Sequence, residues 1–264
     1  MEKQSLKNTL KSGLVAATIA LSAATGTVTE ANAQPVKNIV LVHGAFADGS
    51  GYKGLYQELT NKGYHVTVVQ NPLTSLEDDV AAVKLALDKQ DGPAILVGHS
   101  WGGVVITEAG NHPKVAGLVY IAAFQPDNGE SALHWFQTMP PAAENGVLPP
   151  DEKGILYYDK DKYHAGFCAD VSKEESDFMY ASQGAFYAKC FVTNITHAAW
   201  RDKPSFGIVA TEDKSIVPDI QRTMYKRSNT KITEIKGSHA VYISQPAKVA
   251  AVIIEAAKTV SVSK

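Results

Sequence analysis

Apolar residues gather in short, nearly unbroken blocks at Asn38–Val42, His65–Gln70, Ala94–Gly98, Leu118–Ala122, Ser205–Ala210 and Lys231–Ile235. Blocks of this length, rich in Val and Ile, predict strands. Between them, Tyr52–Asn61, Ser75–Lys89, Gly102–Asn111, Asp219–Arg227 and Pro246–Lys258 repeat their apolar residues at helical spacing. Ser75 and Asp78 stand at capping-box spacing, and Pro246 suits the first turn of a helix. Several strands are apolar on both faces, as when helices cover a sheet from each side. Regular strand–helix alternation of this kind predicts an α/β fold with a parallel, doubly wound sheet.

From Gln125 to about Lys203 the rhythm stops. No core strand is predicted there, prolines punctuate the segment, and a single longer helix is expected from Ser172 to about Lys189, with Ser172 and Glu175 as its capping box. The segment is rich in aromatic residues, among them Trp135 and Phe136. Such an insertion is either a second small core or a cap whose inner face lines a pocket.

The strand at Ala94–Gly98 runs into His99-Ser100-Trp101-Gly102-Gly103 and then into a helix. A bare Gly-x-Ser-x-Gly arises by chance in about one chain in ten of this length, so its context carries the argument. Between a strand and a helix the motif makes a nucleophile elbow, in which Ser100 is held in a strained turn at the positive end of the helix dipole. A serine hydroxyl needs a base, and the base needs an orienting acid, in the chain order Ser, Asp or Glu, His. Of the downstream histidines His112, His134, His164, His197 and His239, the last is best placed, in a loop between the final strand and the final helix. Asp213 follows the strand Ser205–Ala210 and is the leading acid, with Asp127 and Glu212 as rivals. Oxyanion donors are expected at the backbone N–H of Trp101 and, after the first strand, of Ala45, with Phe46 beside it. His43 and His99 adjoin strand ends outside this order and read as structural.

The chain has 264 residues, is 45% hydrophobic and carries a formal net charge of −2, which fits one globular domain and gives no basic surface for nucleic acid. Lys3, Lys7 and Lys11 precede an apolar stretch from Gly13 to Ala24 and then Ala31-Asn32-Ala33. That pattern predicts a secretory signal peptide over residues 1–33, cleaved after Ala33, and a periplasmic or secreted protein at 34–264 with no membrane segment. In an oxidising compartment the two cysteines, Cys168 and Cys190, are candidates for a disulfide. Neither has neighbours at metal-ligand spacing, so no metal site is expected.

VLVHGAF at Val40–Phe46, ILVGHSWGG at Ile95–Gly103, YIAAFQPD at Tyr120–Asp127, ATEDKSIVPDIQR at Ala210–Arg222 and IKGSHA at Ile235–Ala240 together resemble the α/β-hydrolases, within them the plant methylesterase and hydroxynitrile lyase branch. The resemblance implies Ser100, Asp213 and His239 as triad, Ala45 and Trp101 as oxyanion donors, and a helical cap over about 125–203, inserted after the sixth strand of the standard fold. It also implies hydrolysis of small carboxylic esters through an acyl-enzyme, with no cofactor. Hydroxynitrile lyases of this branch have Lys after the catalytic histidine and Thr in place of the glycine of the His-Gly pair. Here Ala240 and Gly44 stand there, and the ammonium that would stabilise departing cyanide is missing. Lactones, including acyl-homoserine lactones, are alternative substrates. Lyase or perhydrolase chemistry in the same pocket, or ligand binding on a hydrolase scaffold without turnover, are the other readings. The substrate contacts expected are Phe46, Trp135 and Phe136; the oligomeric state is left open.

Overall fold

A computed structural model describes residues 36–260, so the leader expected at 1–33 lies outside the described residues. In chain order the elements are β1 (Asn38–Val42), α1 (Lys53–Thr60), β2 (His65–Val69), α2 (Leu76–Asp88), β3 (Ala94–His99), α3 (Gly102–Ala109) and β4 (Val115–Ile121). The insertion follows, with α4 (Ala132–Phe136), β5 (Ile155–Leu156), α5 (Lys160–Phe167), α6 (Lys173–Ser182), β6 (Phe186–Tyr187) and α7 (Ala188–Val192). The chain then returns to the sheet through β7 (Ser205–Ala210), α8 (Pro218–Arg227), β8 (Lys231–Ile235), α9 (Val241–Ser244) and α10 (Pro246–Thr259).

Six strands form one sheet in the order β2-β1-β3-β4-β7-β8, with every pairing parallel. Strand periodicity divides the apolar blocks between its faces. Val40, Val42, Leu96, Leu118 and Tyr120 join the core on one side, with residues of α2, α3 and α8. Ile39, Leu41, Ile95, Val97, Val119 and Ile121 join the core on the other, with residues of α1 and α10. Both faces are covered, which is why β1 and β3 are buried at every position while the edge strands β2 and β8 keep exposed polar residues.

The strand order reverses between β1 and β3, and the loops leaving their carboxyl ends open a crevice there. The insertion between β4 and β7 has no core of its own. Its Trp135, Leu156, Tyr163, Phe167 and Phe186 belong to the same buried cluster as the sheet face covered by α2, α3 and α8.

The helix expected from Ser172 to about Lys189 is shorter. Ser172 accepts the Glu175 N–H as its cap, at 3.1 Å, but α6 stops at Ser182. Gln183 turns extended before Gly184, and Phe186–Tyr187 pair with Ile155–Leu156 as a small antiparallel ladder. The disulfide is also not formed: Cys168 and Cys190 are both buried free thiols. Cys168 Sγ lies against Ser176 Oγ at 3.2 Å, whereas Cys190 Sγ donates to the Leu73 carbonyl at 3.4 Å, so the two side chains serve different contacts. Burial pushes both thiols up, to about 11 and about 12.

Candidate active site

Ser100 has φ of +55°, a conformation that L-residues avoid and that the elbow imposes. Two glycines make this turn sterically feasible. A Cβ on Gly98 would lie 2.4 Å from the Gly102 carbonyl oxygen, and one on Gly102 would lie 2.4 Å from that of Val42. The backbone is anchored to the sheet, since the Ser100 N–H donates to Ile121 O at 3.2 Å and the Phe124 N–H donates to Ser100 O at 3.2 Å.

From this turn Ser100 Oγ meets His239 Nε2 at 2.8 Å, and His239 Nδ1 meets Asp213 Oδ2 at 2.7 Å. The contacts assign the tautomer: Nδ1–H donates to the carboxylate, leaving Nε2 to accept the serine hydroxyl. His239 and Asp213 are both buried. Asp213 is held by four donors. Its Oδ1 accepts the Ser215 and Ile216 N–H groups at 2.7 and 2.9 Å, and its Oδ2 accepts the Gln221 amide at 2.8 Å beside the imidazole. Gln221 is fully buried on α8, and its other bonds reach Ile216 O at 2.6 Å and the Ala210 N–H at 3.2 Å. It is a site residue that the sequence analysis missed. The available signal was a glutamine on the buried face of an amphipathic helix, eight residues after the acid.

The rival acids are occupied elsewhere. Asp127 receives Arg201 Nε and Nη2 at 2.7 and 2.5 Å, and Glu212 pairs with Lys236 at 3.6 Å. His43 and His99 hold structure, as expected. His43 Nε2 accepts the Asn71 N–H at 2.9 Å, which leaves its Nδ1–H for Gly44 O at 2.8 Å. His99 donates to His239 O at 2.9 Å, and burial, with the charge of His239 next, holds it well below its ordinary pKa.

Ala45 on the loop after β1 and Trp101 on the elbow itself flank Ser100, and neither N–H has a protein acceptor among the described residues. A Cβ on Gly44 would stand 2.6 Å from that of Ser100, so only glycine lets the first loop come this close. Phe46 follows with φ of +58°. The Trp101 indole is tied down by a buried carboxylate that was not anticipated: Nε1 donates to Asp79 Oδ2 at 2.7 Å, while Asp79 Oδ1 accepts the Leu73 N–H at 2.7 Å.

Over Ser100 opens a small, largely apolar cavity. Six of the chain's eight phenylalanines line it: Phe46, Phe124, Phe136, Phe167, Phe186 and Phe191. Apart from Ser100 and His239, its polar side chains are Tyr158, Ser215 and Trp101, and among the described residues no Asp, Glu, Lys or Arg lines it. Phe46 and Phe136 are among these lining residues. Trp135 is not. Adjacent helix positions point about 100° apart, and Trp135 turns away to donate to Glu130 at 2.8 Å beneath the Arg227 guanidinium, 4.7 Å from the ring centre.

Residues 39–252 match the alpha/beta hydrolase family. The chain belongs to that family. Among its relatives are the pyrethroid hydrolase of Sphingobium wenxiniae, 28% identical over 83% of this chain and 87% of that one, and Methylesterase 7 of Arabidopsis thaliana, 26% identical over 84% and 96%. The plant methylesterase-like branch is thus represented. A solved pyrethroid hydrolase from Sphingobium faniae shares the α/β-hydrolase fold, with a TM-score of 0.73 at 24% identity over 85% of this chain and 98% of that one.

Proposed function

We propose that this α/β-hydrolase is a serine esterase acting on small, uncharged carboxylic esters with an apolar or aromatic acyl group. The observation that carries the reading is Ser100 Oγ at 2.8 Å from His239 Nε2, beneath a cavity walled by phenylalanine. The hydrolase and esterase names of relatives that align along most of the chain support the same reaction class. In this mechanism Nε2 takes the Ser100 proton as Oγ attacks the acyl carbon, and Asp213 stabilises the imidazolium. The Ala45 and Trp101 N–H groups receive the developing oxyanion. His239 then returns the proton to the leaving alkoxide, and water activated by the same nitrogen releases the acid. The absence of charged groups on the cavity wall disfavours substrates that carry a carboxylate or ammonium, because an unpaired ion would lose its hydration there.

The test is hydrolysis of p-nitrophenyl esters of increasing acyl length by residues 34–264, beside Ser100→Ala and His239→Ala. Loss on the order of 10⁶-fold in kcat is expected for either substitution. Wild-type turnover by Ser100→Ala would remove the mechanism, and a folded protein inactive on all esters would shift the reading to lactones or to binding without turnover.

A further inference from the structure

Three loops contribute to the site besides the nucleophile elbow, and all three are fastened to one short helix of the cap. At the oxyanion loop, the Tyr163 hydroxyl on α5 donates to Phe46 O at 2.7 Å, one residue after Ala45. At the acid loop, Ser215 Oγ donates to Gly166 O at 2.9 Å, while its own N–H donates to Asp213. At the base loop, the Ala240 N–H donates to Phe167 O at 3.1 Å, and the Phe167 ring stands edge-on to the His239 imidazole with centres 4.8 Å apart. Just beyond the helix, the Asp170 carboxylate accepts the Ser238 N–H at 2.9 Å, the Ser238 hydroxyl, and the Ser244 hydroxyl at 2.6 Å. Two glycines are required by close approaches here. A Cβ on Gly237 would lie 2.9 Å from Asp170 Oδ2, and one on Gly166 would lie 2.3 Å from Glu144 O.

We propose that Tyr163–Asp170 is a fixed brace for the site and not a gate over it, with Tyr163 positioning the Ala45 N–H and Asp170 positioning His239. The proposal rests on the esterase reading for its kinetic consequence only. The elbow needs no such help, because it is bonded to the sheet at Ile121 and Phe124. Outside the brace, the base loop is held by His99 Nε2 on His239 O and by the Glu212 N–H on Gly237 O, and the oxyanion loop starts from the His43–Asn71 pair, so the brace adds to these anchors at the residues nearest the chemistry. Phe46 sits at positive φ, and a left-handed residue persists only where its surroundings hold it. Ser238 and His239 lie in the turn between β8 and α9, four residues at most from either element. Neither Tyr163 nor Asp170 reaches the reacting atoms, so each acts through the loop it holds.

The experiment uses Tyr163→Phe, which removes one oxygen, and Asp170→Asn, which keeps the shape and halves the acceptors. Each is assayed on a short p-nitrophenyl ester per site labelled by a fluorophosphonate, with the pH profile of kcat/KM, and by hydrogen exchange. For both variants kcat is expected to fall about tenfold, equivalent to a small misplacement of one catalytic group, with KM within twofold. In Asp170→Asn the acidic limb of the pH profile moves, because the imidazole it reports is no longer held in register. Amide exchange accelerates in 237–244 for Asp170→Asn and in 44–47 for Tyr163→Phe. Variants that fold, keep kcat within twofold and leave those amides protected overturn the brace. A rise in KM with kcat unchanged, or a gain in kcat, also overturns it and identifies a gate. If the parent protein turns over no ester, the esterase reading fails, and exchange in the two segments still decides the brace.

Discussion

Asp79 is fully buried, and its partners are two neutral donors, the Trp101 indole and the Leu73 N–H; no Lys, Arg or His pairs with it among the described residues. Burial, only partly opposed by those bonds, lifts its pKa from 3.8 to about 6. Because the folded value lies above the unfolded one, folding takes up a proton in the window between them. The stability from this group is complete below pH about 3.8 and is lost as pH rises through about 6. Integrating the linkage between pH 5 and pH 8 gives a loss on the order of 1 kcal/mol. Asp79→Asn does not titrate. It also leaves one of two buried donors without an acceptor, at about 1–3 kcal/mol, but that cost is the same at every pH. Urea unfolding of wild type and variant at both pH values, followed by circular dichroism, isolates the effect, since all other carboxylates cancel in the comparison. The wild-type advantage is expected to shrink by roughly 1 kcal/mol from pH 5 to pH 8. An unchanged difference would mean that the Asp79 pKa does not move on folding, and one that grows with pH that it is lowered; either result refutes the argument.

Gln221→Leu removes one donor from Asp213 and strands the Ala210 N–H, so stability should fall by about 1–3 kcal/mol and kcat by about tenfold; denaturant unfolding and steady-state kinetics check both. Phe136→Ala enlarges the cavity and should move the acyl-length optimum towards longer esters, whereas Trp135→Ala should cost about 3–5 kcal/mol of stability and leave the optimum in place. Thiol titration with a disulfide reagent should find Cys168 and Cys190 silent in the native protein and two free thiols after unfolding without reductant; zero would restore the bridge. The leader reading is checked by the mass of the exported protein, whose chain should begin at Gln34.

The sheet was the most legible part, because an apolar block bounded by polar residues has one reading when helices alternate with it. β1, β7 and β8 begin and end where the pattern places them. Ser100, Asp213 and His239 were legible as an order of residues at strand ends, and the coordinates bring all three into contact. What escaped depends on rotation and on distant pairing. Trp135 and Phe136 are indistinguishable by composition, and only the turn of α4 sends one into the cavity and the other beneath Arg227. Gln221 and Asp79 are ordinary polar residues of amphipathic helices until Asp213 and Trp101 arrive beside them. The cysteine pair illustrates the opposite limit, since a matching compartment says nothing about where two side chains point.

The wall of six phenylalanines also bears on how a catalytic cycle ends. Ester cleavage turns a neutral guest into an acid that ionises at neutral pH. A carboxylate among aromatic rings, with no cation on the cavity wall to receive it, is costly by several kcal/mol until it regains water. The newly formed product is thus repelled by the surroundings that welcomed its precursor. On the proposed reaction, departure of the acid is driven by its own deprotonation, and accumulated product competes poorly with fresh ester.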